Sequence, residues 1–288
     1  MVTGGSSGIG FHTSLELARS GASVLLAART AGRGEQAAAR IRREVPGALV
    51  EYRPLDLADL ASVRSFAAGW DGPLDLLVDN AGVMAPPYRL TADGFELQLG
   101  TNHLGHFALT GLLLPALADR PGARVVVVSS LAHRGGRIDF DDLESARFYG
   151  RWTAYCQSKL ANLLFAFELD RRLSGSAAIA VAAHPGFAST NLQVAGPFLG
   201  GGHALSAALM RAGTVTVSQS AAHGAWPTLH AATAPDVSGG DFFGPRGLGQ
   251  IRGRPVRVTA AATAYDREVA ARLWAVSEQL TGVVYDLP

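Results

Sequence analysis

The chain has 288 residues, of which 48% are hydrophobic and 17% are charged, and its formal net charge is +1. This length and apolar content suit one large domain or two small ones, and the near-neutral charge provides no basic surface for nucleic acid. The only cysteine, Cys156, cannot form an intramolecular disulfide, so we expect a cytoplasmic protein. The apolar runs are too short to cross a bilayer, and we expect no signal peptide and no integral membrane segment.

Short β-branched runs alternate with helical stretches along most of the chain. The predicted strands cover residues 23–28, 49–54, 74–78, 125–128 and 178–183. The predicted helices cover residues 9–20, 33–45, 60–70, 97–117, 149–174 and 266–280. Parallel strands need crossover connections, and their helices cover both faces of the sheet. We therefore predict a single α/β domain over residues 1–288, built on a doubly wound parallel sheet.

Two stretches depart from this alternation. Only Met1 and Val2 precede the glycine turn that begins at Thr3, so either the true start of the chain lies upstream or the first strand is shortened. Residues 196–213 are rich in Gly, Ala and Leu and have weak helical periodicity. We predict that they belong to a substrate lid over about residues 187–225.

A glycine-rich segment with the spacing GxxxGxG opens the first predicted helix. Glycines allow backbone N–H groups to approach a pyrophosphate, and the helix N-terminus adds partial positive charge. Taken alone, the segment could also be an ordinary glycine-rich turn. The residues that we predict to contact a dinucleotide here are Gly4, Ser6, Ser7, Gly8, Ile9 and Gly10.

The end of the second predicted strand indicates which dinucleotide is preferred. An acidic side chain at this place would bind the ribose 2′-hydroxyl of NAD. The sequence has Ala28 and Arg29 instead, and a guanidinium suits the 2′-phosphate of NADP(H). A solvated arginine is the alternative in isolation, but the position within a nucleotide-binding unit favours the phosphate contact.

Tyr155 and Lys159 lie four residues apart in a predicted helix, and therefore on one face of it. A free tyrosine titrates near pH ~10, and a neighbouring ammonium lowers this pKa toward the range useful for acid–base chemistry. A surface Tyr/Lys pair is the alternative for this motif alone. Other polar residues end or follow apolar strands, at the edge where parallel sheets bind ligands. They are Asp79, Asn80, Ser129, Ser130 and His184.

The motifs TGxxxGIG, DNAG, NHLGHF, VSS, YxxxK and HPG occur in this order. Together they resemble the short-chain dehydrogenase/reductase family over nearly the whole chain. Residues 101–107 and 158–162 are similar to its retinol dehydrogenase-like branch, which also includes oxidoreductases resembling protochlorophyllide reductase. The resemblance implies a single-domain Rossmann fold with the sheet order 3-2-1-4-5-6-7. It also implies hydride transfer between NADP(H) and a small-molecule carbonyl/alcohol pair, which we expect to be an apolar ketone or aldehyde.

The resemblance further implies roles for individual residues. Tyr155 would be the general acid in reduction, and Lys159 would lower its pKa and bind the nicotinamide ribose. Ser130 would hydrogen-bond the substrate oxygen, and Asn102 would hold a water that connects Lys159 to solvent. The remaining implied cofactor contacts are Asp56 and Leu57 near the adenine, Asn80, Ala81 and Gly82 on the adenosine side, and Pro185, Gly186 and Thr190 at the nicotinamide.

One departure from the family pattern lies in the DNAG motif. The family usually has two asparagines before Ala-Gly, where this chain has Asp79 and Asn80. We expect this change to alter a structural hydrogen bond and to leave the chemistry unchanged. His103 and His106 lie three residues apart, but no Cys or acidic partner completes a metal site. We expect them to pack or to form hydrogen bonds, and we predict no metal.

Two other functions stay open at this point. The same fold could carry an isomerase, an epimerase or a dehydratase that reuses the tyrosine, or a non-enzymatic NADP(H)-binding regulator. Members of the family often form homo-oligomers through the helices of Asn102 and Tyr155, and the sequence does not fix the number of subunits.

Overall fold

The computed structural model describes residues 1–188 and 219–287. Its eight strands form one sheet with the order β3-β2-β1-β4-β5-β6-β7-β8. The strands are β1 (Val2–Thr3), β2 (Val24–Ala28), β3 (Val50–Pro54), β4 (Leu76–Asp79), β5 (Arg124–Val128), β6 (Ile179–Ala183), β7 (Phe242–Pro245) and β8 (Pro255–Arg257). Strands β1 to β7 are parallel, and β8 pairs with β7 in the antiparallel direction. The predicted order of the first seven strands is confirmed, and β8 extends the sheet by one strand.

Helices cover both faces of this sheet. They are α1 (Gly8–Arg19), α2 (Ala31–Glu44), α3 (Leu60–Ala68), α4 (Leu97–Leu99), α5 (Gly105–Leu113), α6 (Arg151–Arg172), α7 (Ala221–Thr233) and α8 (Arg267–Thr281). The predicted doubly wound α/β fold is therefore confirmed. The first strand has two residues.

The two layers are explained by the alternation of side chains along a strand. On β5, Val125 and Val127 face a core formed with α3, α5, α6 and α8. Val126 and Val128 face the opposite core, formed with α1, α2 and α7. All four side chains are almost fully buried, so this continuous apolar strand is typical of the centre of a parallel sheet.

The long helix predicted over residues 97–117 is divided into segments. A π-helical turn over Gly100–Leu104 separates α4 from α5. Asn102 lies in the middle of this turn and is fully buried. Short π-helical insertions in α-helices occur frequently at functional sites, so this turn is consistent with a functional role for Asn102.

Helix α7 was not predicted, and its first residues lie within the range proposed for the lid. Ala225 is fully buried, and a Cβ added to Gly224 would lie 3.4 Å from the Ile9 side chain on α1. Residues 221–225 therefore belong to the layer that contains α1. Within the range proposed for the lid, residues 189–218, including Thr190, lie outside the described part of the chain.

Candidate active site

The glycine segment lies directly against the residues that follow β4. Gly4 has a φ of +64°, and a Cβ added to it would lie 2.9 Å from the Ala81 Cα. A Cβ on Gly10 would lie 2.5 Å from the Gly4 carbonyl oxygen. Neither position has room for a side chain, and the φ of +64° at Gly4 also disfavours one there. The loop is thus a close-packed cradle that leaves backbone groups exposed.

The first turn of α1 has unpaired N–H groups, as every helix does. Its N-cap residue Ser7 forms no side-chain capping bond, and the first turn contains no acidic residue. Among residues 1–188 and 219–287 the N–H groups of Gly8 and Ile9 have no partner, so they can bind an anion, which the helix dipole also favours. This end of the site fits a pyrophosphate.

The second helix offers a similar arrangement beside Arg29. Arg29 is exposed at the end of β2, and Thr30 caps α2 without a side-chain bond. The first turn of α2 has no acidic residue that would repel a phosphate at this helix end. Across the strand, Asp56 is half-buried and one of its carboxylate oxygens accepts from the Ala58 N–H at 3.0 Å. Leu57 beside it is buried.

Asn80 and Ala81 are fixed to β1 through Thr3. The N–H groups of Asn80 and Ala81 donate to the Thr3 hydroxyl at 2.9 Å and 3.0 Å. The Asn80 amide also donates to the Thr3 carbonyl oxygen at 2.8 Å. The Asn80 side chain thus stabilises the glycine segment, a contact that the sequence did not reveal.

Tyr155 lies on α6 with its side chain buried, and the Ser130 side chain is close enough to influence the pKa of its hydroxyl. Burial raises the pKa of Tyr155 to about 12, and the Ser130 side chain acts in the opposite direction. The sequence-based expectation was a lowered pKa for this group. The structure differs because removal from water outweighs the effect of neighbouring groups. Tyr155 therefore carries its proton at neutral pH.

Lys159 lies one turn further along α6. Its ammonium donates to the Val128 carbonyl oxygen at 3.2 Å and lies 5.9 Å from the centre of the Tyr155 ring. Burial lowers the pKa of Lys159 to about 8. A Cβ added to Gly82 would lie 3.6 Å from this ammonium. Gly82 is therefore the neighbour of both Asn102 and the Lys159 ammonium.

Asn102 joins the loop after β4 to helix α6. Its amide oxygen accepts from the Val83 N–H at 2.8 Å, and its amide nitrogen donates to the Val83 carbonyl and to the Ser158 hydroxyl, each at 2.9 Å. Ser158 in turn donates to the Tyr155 carbonyl oxygen at 2.8 Å. Both donors of Asn102 are thus used, and only an acceptor position of its amide oxygen is left for the expected water. The structure gives Asn102 a clamping role that the sequence did not indicate.

The segment after β6 lies beside the serine pair, because the Ser129 N–H donates to the Ala183 carbonyl oxygen at 2.8 Å. The Gln219 amide donates to the Pro185 carbonyl oxygen at 2.7 Å. Gly186 has a φ of +64°, and Ile251 leaves no room for a Cβ there. Pro185 and Gly186 are therefore held at the sheet edge that also carries Ser130.

Exposed aromatic side chains lie around the N-terminus of α6, the helix that carries Tyr155. Trp152 is exposed, and its ring centre lies 6.0 Å from that of Tyr155 in an edge-on arrangement. Phe148 is 84% exposed. Tyr88, also exposed, packs on Tyr149 with 5.0 Å between the ring centres. The start of α6 thus presents an aromatic surface, and Trp152 is the member of it that lies beside Tyr155.

Residues 1–188 and 219–287 contain no group of three His, Cys, Asp or Glu side chains arranged to hold a metal ion. His103 is hydrogen-bonded to Ser277, and His106 to Thr3, each at 2.8 Å. Among the helices described, none combines the length and the apolar character needed to cross a membrane.

Comparisons with known proteins agree with this geometry. A family model described as short chain dehydrogenase matches residues 1–197. The chain is 44% identical to retinol dehydrogenase 13 of Homo sapiens, over 98% of this chain and 84% of that protein. A crystal structure of a protein from Mycobacterium paratuberculosis is 49% identical, with a TM-score of 0.81 over 99% of this chain and 93% of the other.

The Pseudomonas aeruginosa RhlG/NADP active-site complex is 25% identical, with a TM-score of 0.64 over 84% of this chain and 91% of that one. The chain therefore belongs to the short-chain dehydrogenase/reductase family, in its retinol dehydrogenase-like branch, and is a hydride-transfer oxidoreductase.

Proposed function

We propose that this protein reduces apolar ketones or aldehydes with NADPH. The observation that carries the proposal is the buried Tyr155 side chain, whose ring centre lies 5.9 Å from the Lys159 ammonium and whose pKa burial raises to about 12. A tyrosine that holds its proton at neutral pH is in the form required to protonate a substrate oxygen. The cradle at the N-terminus of α1 lies at the same sheet edge and supports a dinucleotide as the second reactant.

When bound, NADPH supplies the hydride that reaches the carbonyl carbon. The Ser130 hydroxyl orients the carbonyl oxygen, and Tyr155 transfers its proton to that oxygen as negative charge develops there. The Lys159 ammonium stabilises the tyrosinate that remains, because a cation nearby favours the ionised form of a tyrosine. Lys159 already lies within 5.9 Å of the tyrosine ring.

Three features support NADPH over NADH. Arg29 is exposed at the strand end, the first turn of α2 lacks an acidic residue, and RhlG of Pseudomonas aeruginosa was solved with NADP. A planar guanidinium binds a phosphate through paired charge-assisted hydrogen bonds.

Arg29→Asp replaces that cation by a carboxylate. We expect the dissociation constant for NADPH to rise about 100-fold, equivalent to about 2.7 kcal/mol, while that for NADH changes little. Fluorescence titration with each nucleotide measures both constants. Arg43→Asp, on an exposed part of the last turn of α2, is the matched control. An unchanged NADPH/NADH ratio in Arg29→Asp would show that the 2′-phosphate is bound elsewhere.

The aromatic surface beside Tyr155 supports an apolar substrate. Trp152→Ala removes a large apolar contact, so we expect KM to rise about tenfold for a bulky apolar carbonyl such as retinal. KM for a small aldehyde should stay within about twofold of the wild-type value. Trp226→Ala, on α7 on the opposite face of the sheet, is the control. Equal losses for both substrates would remove Trp152 from the substrate site.

The deciding experiment follows absorbance of reduced nicotinamide with a panel of aldehydes, aromatic ketones, steroids and retinal. Oxidation of NADPH with one substrate class establishes the reductase. Net turnover without loss of NADPH indicates the isomerase, epimerase or dehydratase alternative. Nucleotide binding without any turnover supports the regulator.

A further inference from the structure

His106 is a buried histidine on α5 that the proposed reaction does not use directly. Its two ring nitrogens have different partners. Nε2 lies 2.8 Å from the Thr3 hydroxyl, and Nδ1 lies 3.0 Å from the Asn102 carbonyl oxygen. One partner holds the loop that follows β4, and the other belongs to the π-helical turn.

The arrangement of protons follows from the partners. A carbonyl oxygen can only accept, so Nδ1 carries a hydrogen and donates it to Asn102. Burial, with a smaller contribution from Lys159, lowers the pKa of His106 to about 4 despite the bond to Asn102, so Nε2 has no hydrogen and accepts. The Thr3 hydroxyl accepts from the Asn80 and Ala81 N–H groups. Its single proton therefore points at His106, which is nearer than the alternative acceptor, the Val78 carbonyl at 3.2 Å.

We propose that His106 is a positioning residue that couples the nucleotide cradle to the catalytic helix through its two ring nitrogens. The Nε2 side fixes Thr3 and, through it, the loop of Asn80 and Ala81. The Nδ1 side fixes the carbonyl of Asn102, whose side chain connects Val83 with Ser158, and Ser158 is bonded to the backbone of Tyr155. A neutral imidazole is suited to this because it donates at one end and accepts at the other.

Two amide substitutions of His106 separate the role of Nδ1 from the role of Nε2. In His106→Asn, the side-chain amide occupies the position of Nδ1 and retains the bond to the Asn102 carbonyl, but it does not reach Thr3. In His106→Gln, the longer amide retains an acceptor for the Thr3 hydroxyl and leaves the Asn102 carbonyl without its donor. The inference rests on the proposed NADPH-dependent reduction, so wild-type binding and turnover are measured first.

For His106→Asn we expect the dissociation constant for NADPH to rise about tenfold, with kcat within about twofold of wild type. For His106→Gln we expect kcat to fall about tenfold, with the dissociation constant within about twofold. Nucleotide affinity is measured by fluorescence titration and kcat by single-substrate kinetics. Thr3→Val should reproduce the binding defect of His106→Asn, and Thr3→Ser, which keeps the hydroxyl, should restore it.

His103→Asn is the control for loss of a buried imidazole, because the His103 side chain is bonded to Ser277 on α8 and to neither Thr3 nor Asn102. It should lower the unfolding temperature and leave both constants within about twofold. Equal effects of His106→Asn and His106→Gln on binding and kcat, in proportion to their loss of stability, would overturn the inference. A wild-type protein that binds no nucleotide would instead overturn the proposed function, so the two failures are distinguishable.

Discussion

The Tyr155→Phe variant is expected to reduce carbonyl substrates about 10³-fold more slowly than the wild type, because it removes the hydroxyl proton that the proposed reaction transfers to the substrate oxygen. Ser130 can orient that oxygen, but in the proposed reaction it does not transfer its own proton. The loss should therefore be in kcat. Nucleotide affinity should stay close to the wild-type value, since the cradle at α1 is untouched.

Stopped-flow measurement of NADPH oxidation gives the rate, and fluorescence titration gives the affinity. Tyr265→Phe is a matched control, because Tyr265 is half-exposed and stacks on Phe167. Phe167 lies 12 residues beyond Tyr155 on α6, which is about 18 Å along a helix. If Tyr155→Phe retained more than about a tenth of wild-type kcat, another group would have to supply the proton.

Asp79→Asn is expected to stabilise the protein, and the gain should grow with pH. Asp79 is fully buried, and one carboxylate oxygen accepts from the Thr110 hydroxyl at 2.9 Å. The other oxygen has no hydrogen-bond partner among the described residues. Burial raises the pKa of this carboxyl from 3.8 to about 8. The neutral acid that results has nearly the shape of an amide, and like the amide it carries no charge.

The direction of the pH effect follows from the two states of the chain. The unfolded chain loses this proton near pH 4, whereas the folded protein keeps it until about pH 8. The unfolded state therefore binds fewer protons in this window, and the free energy of unfolding falls as pH rises. Each unit of pKa difference corresponds to about 1.4 kcal/mol, so the total is several kcal/mol. Asparagine has no such titration.

Urea unfolding of both proteins at pH 5 and pH 8.5 measures the effect. The stability difference in favour of Asp79→Asn should increase by several kcal/mol between these pH values. Asp119→Asn, at an exposed position, should give no pH-dependent difference. Parallel pH curves for Asp79→Asn and wild type would mean that Asp79 is ionised in the folded state.

The sequence predicted the elements that their own residues specify. The consecutive valines of β5 favour a buried strand, and α6 is long enough to be recognised as a helix. Helix α7 was missed because Gly224 and Pro227 lower its local helix propensity, and contact with α1 stabilises it instead. Strand β8 has three residues and exists through its pairing with β7.

The site shows the same limit. The residue types and spacing around Tyr155 pointed to proton transfer, because that chemistry depends on local identity. The bonds of Asn102 and His106 connect residues up to 103 positions apart, and no local pattern encodes such partners. The NHLGHF motif contained the signal for His106, but its partner Thr3 became evident only in three dimensions.

The π-helical turn at Gly100–Leu104 restricts where insertions and deletions can occur in the sequence of this protein. A π-turn contains one residue more than the α-helical turn that it replaces, so deleting one residue would convert it to regular helix. Each helical residue contributes about 100° of rotation. Deletion would therefore turn His106 and Thr110 away from their partners or turn Asn102 away from Val83. We expect homologous chains to vary in length elsewhere and to tolerate neither deletion nor insertion of a single residue here.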